Sequence, residues 1–368
     1  MALVRLGIGK TAPFWSWAPL LAAAIVLAIF GLHIEGNATA LLLAALLLPA
    51  VLAAVHHAEV IAVKVGEPFG TLVLALAVTV IECALIITLM LAKPEESAGL
   101  VRDTVYSAVM IILGGVVGIC MAVGGARHHV QRFGVYGVSA ATTTLAALAV
   151  LVLILPNFTT TTPGPSFSPA QLILVGVASL SLWLLFVFVQ TVRHRDYFLP
   201  DEDSAGPDTH VAAENVTRNQ LWLALALLMG CLASVVLLAK ALSDPLAALI
   251  VQSGAPLSAV GVVIAGLVLL PEAVAALRAA RADRLQTSLN LALGSALATI
   301  GLTVPVIAGL SFVFGWQLDL GLDPKGITLL SLMLLVSAMS LGTGRTTVQQ
   351  GAVHLVIFGV FLFTSFSP

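Results

Sequence analysis

Long apolar runs, separated by short polar or charged punctuation, make up almost the whole chain. Cutting at that punctuation leaves eleven apolar segments, at approximately 17–33, 38–62, 69–92, 102–125, 134–155, 170–193, 218–241, 247–277, 285–314, 326–342 and 349–366. Each is close to the ~20 residues that a helix needs to cross a hydrocarbon core. The ninth is longer than one span requires, and Pro305 is the candidate point of a kink or break. The fold expected is therefore an all-α polytopic membrane protein with eleven transmembrane helices.

Two glutamates interrupt this pattern deep inside apolar runs, Glu82 in the third segment and Glu272 in the eighth. A carboxylate in hydrocarbon costs about 2.5 kcal/mol or more, so its default reading is an ion or proton site. With the first helix set aside, ten remain, and a five-and-five split puts each glutamate on the second helix of its half. Five is odd, so the halves insert with opposite orientation, as inverted-topology repeats whose substrate site lies near the midplane. After each glutamate comes a charged interfacial segment, Lys93 to Asp103 or Arg278 to Arg284, and then a helix with small and polar residues. The domains expected are a leading helix over 1–36, a first five-helix repeat over 37–193, a cytoplasmic acidic linker over 194–217 and a second repeat over 218–368.

Composition agrees with a membrane protein: 60% of 368 residues are hydrophobic, 9% are charged, and the mean hydropathy is +1.09. The net charge of −2 argues against a nucleic-acid partner. What informs is the placement of the 16 Lys and Arg. With a cytoplasmic N-terminus, Arg5, Lys10, Lys64, Arg127, Arg132, Arg193, Arg195, Arg218, Arg278, Arg281, Arg284 and Arg345 fall inside, and Lys93, Arg102, Lys240 and Lys325 outside. Twelve against four is a strong positive-inside bias, and it leaves the C-terminus outside. The first apolar run follows Arg5 and Lys10 as a signal peptide would, but without a small-residue cleavage site, and it reads as a retained helix. Cys83, Cys120 and Cys231 show no ligand-pair spacing and read as packing residues.

Two carboxylates sharing a low-dielectric site repel, which favours protonation of at least one, whereas a divalent cation favours both ionised. Cations and protons then compete for the same oxygens, which is the minimal physics of an antiporter. The blander reading, a glutamate buried by a helix–helix hydrogen bond, weakens when two occur in symmetric positions. His56, His57 and Glu59 form a second cluster at the cytoplasmic end of the second helix. At helical spacing Glu59 shares a face with His56 while His57 points elsewhere. They are candidates for the place where protons enter, or for an interfacial cluster that merely ends the span. Glu67 before Pro68 reads as a helix cap. His128 and His129 read as loop residues, and Asp201, Glu202, Asp203, Asp208 and Glu214 as a solvated linker or a regulatory element.

The stretches HHAEVIAVKVGEPFGTLVLALAVTVIECALI from His56 and AGLVLLPEAVAALRAARADRLQTSLNLALGSALATIGLTVPVI from Ala265 resemble the calcium/proton exchangers of the calcium/cation antiporter superfamily. The likeness is nearest to the ChaA-type sodium-calcium/proton antiporters. It implies one leading helix, two inverted five-helix repeats, and Glu82 and Glu272 as the paired cation- and metal-binding carboxylates, with Glu59 near the cytoplasmic approach. Where relatives carry Gly-Asn-Ala-x-Glu, this chain has Val78-Thr79-Val80-Ile81-Glu82 and Val268-Leu269-Leu270-Pro271-Glu272. Two asparagine amides are thus absent, although calcium prefers six to eight oxygens. Thr79, Ser107, Ser288, Asn290 and Ser295, with carbonyls freed at a break before Pro271, would supply part of the deficit. Such a site implies broad specificity for Ca2+, Na+ and K+ exchanged against H+, with no resident cofactor. Three rivals remain: a Na+(K+)/H+ antiporter with little Ca2+ activity, a passive channel, and an intramembrane enzyme. The enzyme lacks its paired aspartates or H-E-x-x-H helix in the apolar segments.

Overall fold

The computed structural model describes residues 13–30, 37–66, 69–92, 97–198, 217–252, 256 and 258–367. Arg5, Lys10, Glu67, Lys93 and the acidic residues Asp201, Glu202, Asp203, Asp208 and Glu214 lie outside them. The described chain is helical almost throughout: α1 (Phe14–Phe30), α2 (Asn37–Val65), α3 (Phe69–Ala92), α4 (Leu100–Met110), α5 (Gly118–His128), α6 (Val135–Ala149), α7 (Pro169–Phe188), α8 (Arg218–Gln252), α9 (Ser258–Arg281), α10 (Leu285–Ala298), α11 (Val304–Phe314), α12 (Pro324–Leu341) and α13 (Val348–Phe366). Two-residue strands, β1 (Gln131–Arg132) and β2 (Arg345–Thr346), pair antiparallel.

Among the described residues, eight helical stretches are long and apolar enough to cross a bilayer. Four of them are composite, because α4 runs into α5, α6 into residues 150–158, α7 into residues 189–193 and α10 into α11 through wider or tighter turns. The bent helix α9 makes a ninth span, and Phe14–Ile29 and Ala75–Leu91 are shorter apolar helices. The chain is a polytopic, all-helical membrane protein.

Two expectations about segment ends are corrected. The boundary read at 242–246 is helical, because α8 continues through Lys240, Asp244 and Pro245 to Gln252 and the next helix starts at Ser258. The helix carries Pro245 in its interior at the cost of one backbone hydrogen bond. The break read at Pro305 is instead a π-helical turn, Thr299–Thr303, just before the proline, so 285–314 remains one stretch. Pro305 has no N–H and would crowd the carbonyl four residues back. Widening the preceding turn removes that conflict. A second π-helical turn, Ile111–Val117, joins α4 to α5.

Spatial clustering divides the chain into two units, and neither is one half of the sequence. One takes residues 1–92 and 201–253, and the other takes 93–200 and 254–368. In the first unit α2 packs against α1, α3 and α8. Alanines 50, 53, 54 and 58 of α2 are fully buried, which lets neighbouring backbones come close. Gly66, at φ +80°, ends α2, and Gly70 lies close against the Ala62 carbonyl. A side chain at Gly70 would meet that oxygen at 2.7 Å.

In the second unit α9 lies on α4, α5 and α10, and α13 lies on α5 and the π-turn before it. The α13 contact is made by glycines: a Cβ at Gly351 would stand 2.4 Å from the Ala122 nitrogen and 2.7 Å from the Gly118 carbonyl. Helix ends are set locally. Ser168 and Gln171 form a capping box at α7, Thr347 and Gln350 form another at α13, and Asp323 caps α12 through the Gly326 N–H.

Candidate cation and proton site

In the first unit, α3 buries residues 75, 78, 79, 82, 85 and 86, a stripe at helical spacing, and exposes Val80 and Leu91. Glu82 sits in the middle of that stripe and is 2% exposed, so its carboxylate faces protein. Thr79, one turn earlier on the same face, donates its hydroxyl to the Ala75 carbonyl at 2.9 Å.

The two histidine rings lie 5.4 Å apart, centroid to centroid. Both rings are buried against the start of α1, with His57 Nε2 2.9 Å from the Ser16 carbonyl and His56 4.6 Å, centroid to centroid, from the Trp15 ring. Consecutive helical side chains diverge by about 100°, and the first turn of α1 is broad enough to cover both. Neither imidazole is open to water, and Glu59, half-buried, lies a turn farther along α2.

In the second unit, α9 bends by 51° between Ala259–Leu270 and Glu272–Arg281. The break before Pro271 read from the sequence is thus a bend at the residue where a backbone hydrogen bond is lost. Glu272, 4% exposed, is the first residue beyond it. Ser295 on α10 donates to Glu272 Oε2 at 2.6 Å. Ser288, two turns before Ser295 on the same face, is buried and hydrogen-bonds Cys120 of α5.

Asn290 is not part of this face. Five helical residues turn through about 500°, so Asn290 points well away from Ser295. Its amide donates to the Phe198 carbonyl at 2.5 Å and accepts from Gln286 at 2.9 Å. Ser107 is buried on α4, donating to the Asp103 carbonyl. It lies beside α9 one turn beyond the place where Gly261 meets the Asp103–Thr104 backbone. Among the described residues, no group of three or more His, Cys, Asp or Glu could hold a metal ion.

Cys120, read as a packing residue, is fully buried and lies against Ser288. His354 was passed over, although it is the lone titratable group in the last apolar run and is fully buried. Its isolation in that run was the available signal.

The profile of the sodium/calcium exchanger protein family matches residues 37–192 and 223–367. The chain belongs to that family. Within it, the chain is 48% identical over 359 residues to the "Putative ionic transporter y4hA" of Sinorhizobium fredii, covering 97% of each protein. It is 35% identical over 315 residues to the sodium-potassium/proton antiporter ChaA of Escherichia coli, covering 85% of this chain and 84% of that one. Among solved structures, native YfkE superposes with a TM-score of 0.71 at 16% identity, covering 96% of this chain and 99% of that one. The H+/Ca2+ exchanger CAX superposes with a TM-score of 0.69 at 15% identity, covering 95% and 88%. The exchanger fold is thus common to all three chains. Membership in this family makes the chain a cation antiporter by class.

Proposed function

We propose that this family member is an inner-membrane cation/proton antiporter that works by alternating access, with Glu82 and Glu272 as its cation- and proton-binding carboxylates. Protons moving inward would drive Ca2+, Na+ or K+ out of the cytoplasm. The observation that carries the reading is Glu272, buried at the bend of α9 with one carboxylate oxygen held by Ser295. A carboxylate so placed is expensive unless a cation or a proton neutralises it. Glu82 on its buried stripe supports the same chemistry.

Further support comes from the two separate matches to the family profile, which fit a duplicated five-helix unit. The two shorter apolar helices added to the nine spans give the eleven that this topology uses. The basic residues then put the N-terminus in the cytoplasm and the C-terminus outside. The name of the ChaA relative favours Na+ and K+ among the substrates. The set of hydroxyl oxygens without asparagine amides fits a site that does not demand Ca2+.

The test is proton flux in everted vesicles with an imposed pH gradient, adding Ca2+, Na+, K+ and Mg2+ in turn. Wild type should dissipate the gradient with specific cations. Glu82→Gln and Glu272→Gln should reach the membrane at normal levels and dissipate none. Full exchange by either variant would remove that glutamate from the site.

A further inference from the structure

The ribbon of β1 and β2 joins the α5–α6 connection to the α12–α13 connection at one end of the second unit. Its register sets Gln131 opposite Thr346 and Arg132 opposite Arg345. Gln131 and Thr346 are buried, and both arginines are exposed, so the two guanidinium groups leave the same outer face of the ribbon. Like charges directly opposite each other on antiparallel strands are destabilising. Here no ion pair relieves them: none is recorded for Arg132, Arg345, Arg127 or Arg281 among the described residues.

Neighbouring contacts add charge of the same sign. His128 Nε2 lies 3.2 Å from the Arg281 carbonyl, which brings exposed Arg281 next to exposed Arg127. The acidic groups nearby are Asp283, which accepts from Gln131 Nε2 at 2.8 Å, and exposed Asp196, next to the Tyr197 ring that stacks on Tyr136. The other titratable or charged groups on these turns are His128, His129, His194, Arg195 and Arg284. Around the arginines the surface turns apolar: Val130, Tyr136 and Val348 are exposed, Tyr136 to 73%. Arginines beside exposed aliphatic and aromatic side chains, at the ends of bilayer-crossing helices, match the headgroup layer better than open water.

We propose that Arg132 and Arg345 together bind the phosphate of an anionic phospholipid headgroup in the inner leaflet, with Arg127 and Arg281 adding to the local charge. The pair of planar guanidinium groups suits a phosphodiester, which removes the like-charge conflict built into the ribbon. The inference rests on the topology proposed above, which puts this end of the unit on the cytoplasmic side. It does not depend on the transport chemistry.

The experiment uses the delipidated full chain in detergent and native mass spectrometry. Dioleoyl phosphatidylglycerol, dioleoyl phosphatidylcholine and inorganic phosphate are added separately and in competition. Wild type should prefer phosphatidylglycerol over phosphatidylcholine by about tenfold or more, and Arg132→Gln/Arg345→Gln should lose most of that preference. Millimolar inorganic phosphate should leave the lipid bound. Equal preference in both proteins, or displacement by phosphate, would overturn the proposal. A melting curve covers failure of the double variant to fold. Arg345→Gln alone should melt no lower than wild type without lipid and should lose the rise that phosphatidylglycerol gives wild type. A full lipid-induced rise, or collapse of this single variant without lipid, would also overturn it, since the arginines would then hold the ribbon and not a ligand. Binding is read without transport, so a chain that moves no cation yet selects phosphatidylglycerol leaves this site standing.

Discussion

His354 Nδ1 stands 2.8 Å from the carbonyl oxygen of Leu113, inside the π-helical turn that joins α4 to α5. The other ring nitrogen, Nε2, is 2.9 Å from Ser340 Oγ on α12. A carbonyl can only accept, so the contact with Leu113 puts a proton on Nδ1. A π-turn disturbs the regular hydrogen-bond ladder, and His354 engages one of the carbonyls there. The same turn packs against α9 and α10, which carry Glu272 and Ser295, so the ring steadies the wall of the candidate site.

Loss of that bond should therefore reach transport. Replacing His354 by leucine leaves the Leu113 carbonyl without this donor, at a cost of about 1–3 kcal/mol. His354→Leu should lower the melting temperature and reduce exchange several-fold. His354→Asn, which keeps an N–H donor near the Nδ1 position but cannot be protonated, should restore most of both. Its pH profile should overlay that of wild type. A shifted profile in the asparagine variant would show that the ring takes up a proton during turnover.

The contact between α13 and α5 supplies a stability test with an internal control. At Gly351 a methyl group would meet backbone atoms of Ala122 and Gly118, which cannot rotate aside, whereas a Cβ at Gly359 meets nothing within 4 Å. Gly351→Ala should destabilise the chain by about 1–3 kcal/mol, as overpacking does. Gly359→Ala should be neutral or slightly stabilising, because alanine is the better helix former. Thermal unfolding in detergent compares the two directly. Equal melting temperatures would mean that α13 is not seated on α5 as described.

What the sequence made legible followed from single dominant forces. Hydrophobic length gave the spans, since nothing else in water explains twenty apolar residues in a row. The cost of a buried carboxylate picked out Glu82 and Glu272, and both are buried. What stayed hidden depends on turns of helix that a linear pattern does not display. Asn290 and Ser295 looked equivalent as polar residues on one helix, and only rotation about its axis separates them. The π-turns at Ile111–Val117 and Thr299–Thr303 widen the helix by one residue, and the apolar residues there carry no sign of it. Pro245 and Pro305 show the converse error, in which a residue that can end a helix does not.

Ser295 and Asn290, close in sequence, should respond differently to alanine. Ser295 donates to a carboxylate oxygen of Glu272, and a donor stabilises the ionised form, the one that binds a cation. Without it a proton competes better, so apparent cation affinity should fall at any fixed pH where the site is partly protonated. With about 1.5–3 kcal/mol for a hydrogen bond to a charged group, the loss where the site is mostly protonated should be about tenfold to a hundredfold. It should grow as the pH falls and vanish at alkaline pH, where no proton competes. Asn290 instead ties α10 to the Phe198 carbonyl and to Gln286. Its removal should cost about 1–2 kcal/mol of stability and leave the affinity at each pH near that of wild type. Cation-dependent proton flux, titrated at several pH values for both variants, separates the two roles. A pH-independent loss in Ser295→Ala would place the serine's effect on the cation alone, and an equal loss in Asn290→Ala would return the asparagine to the site.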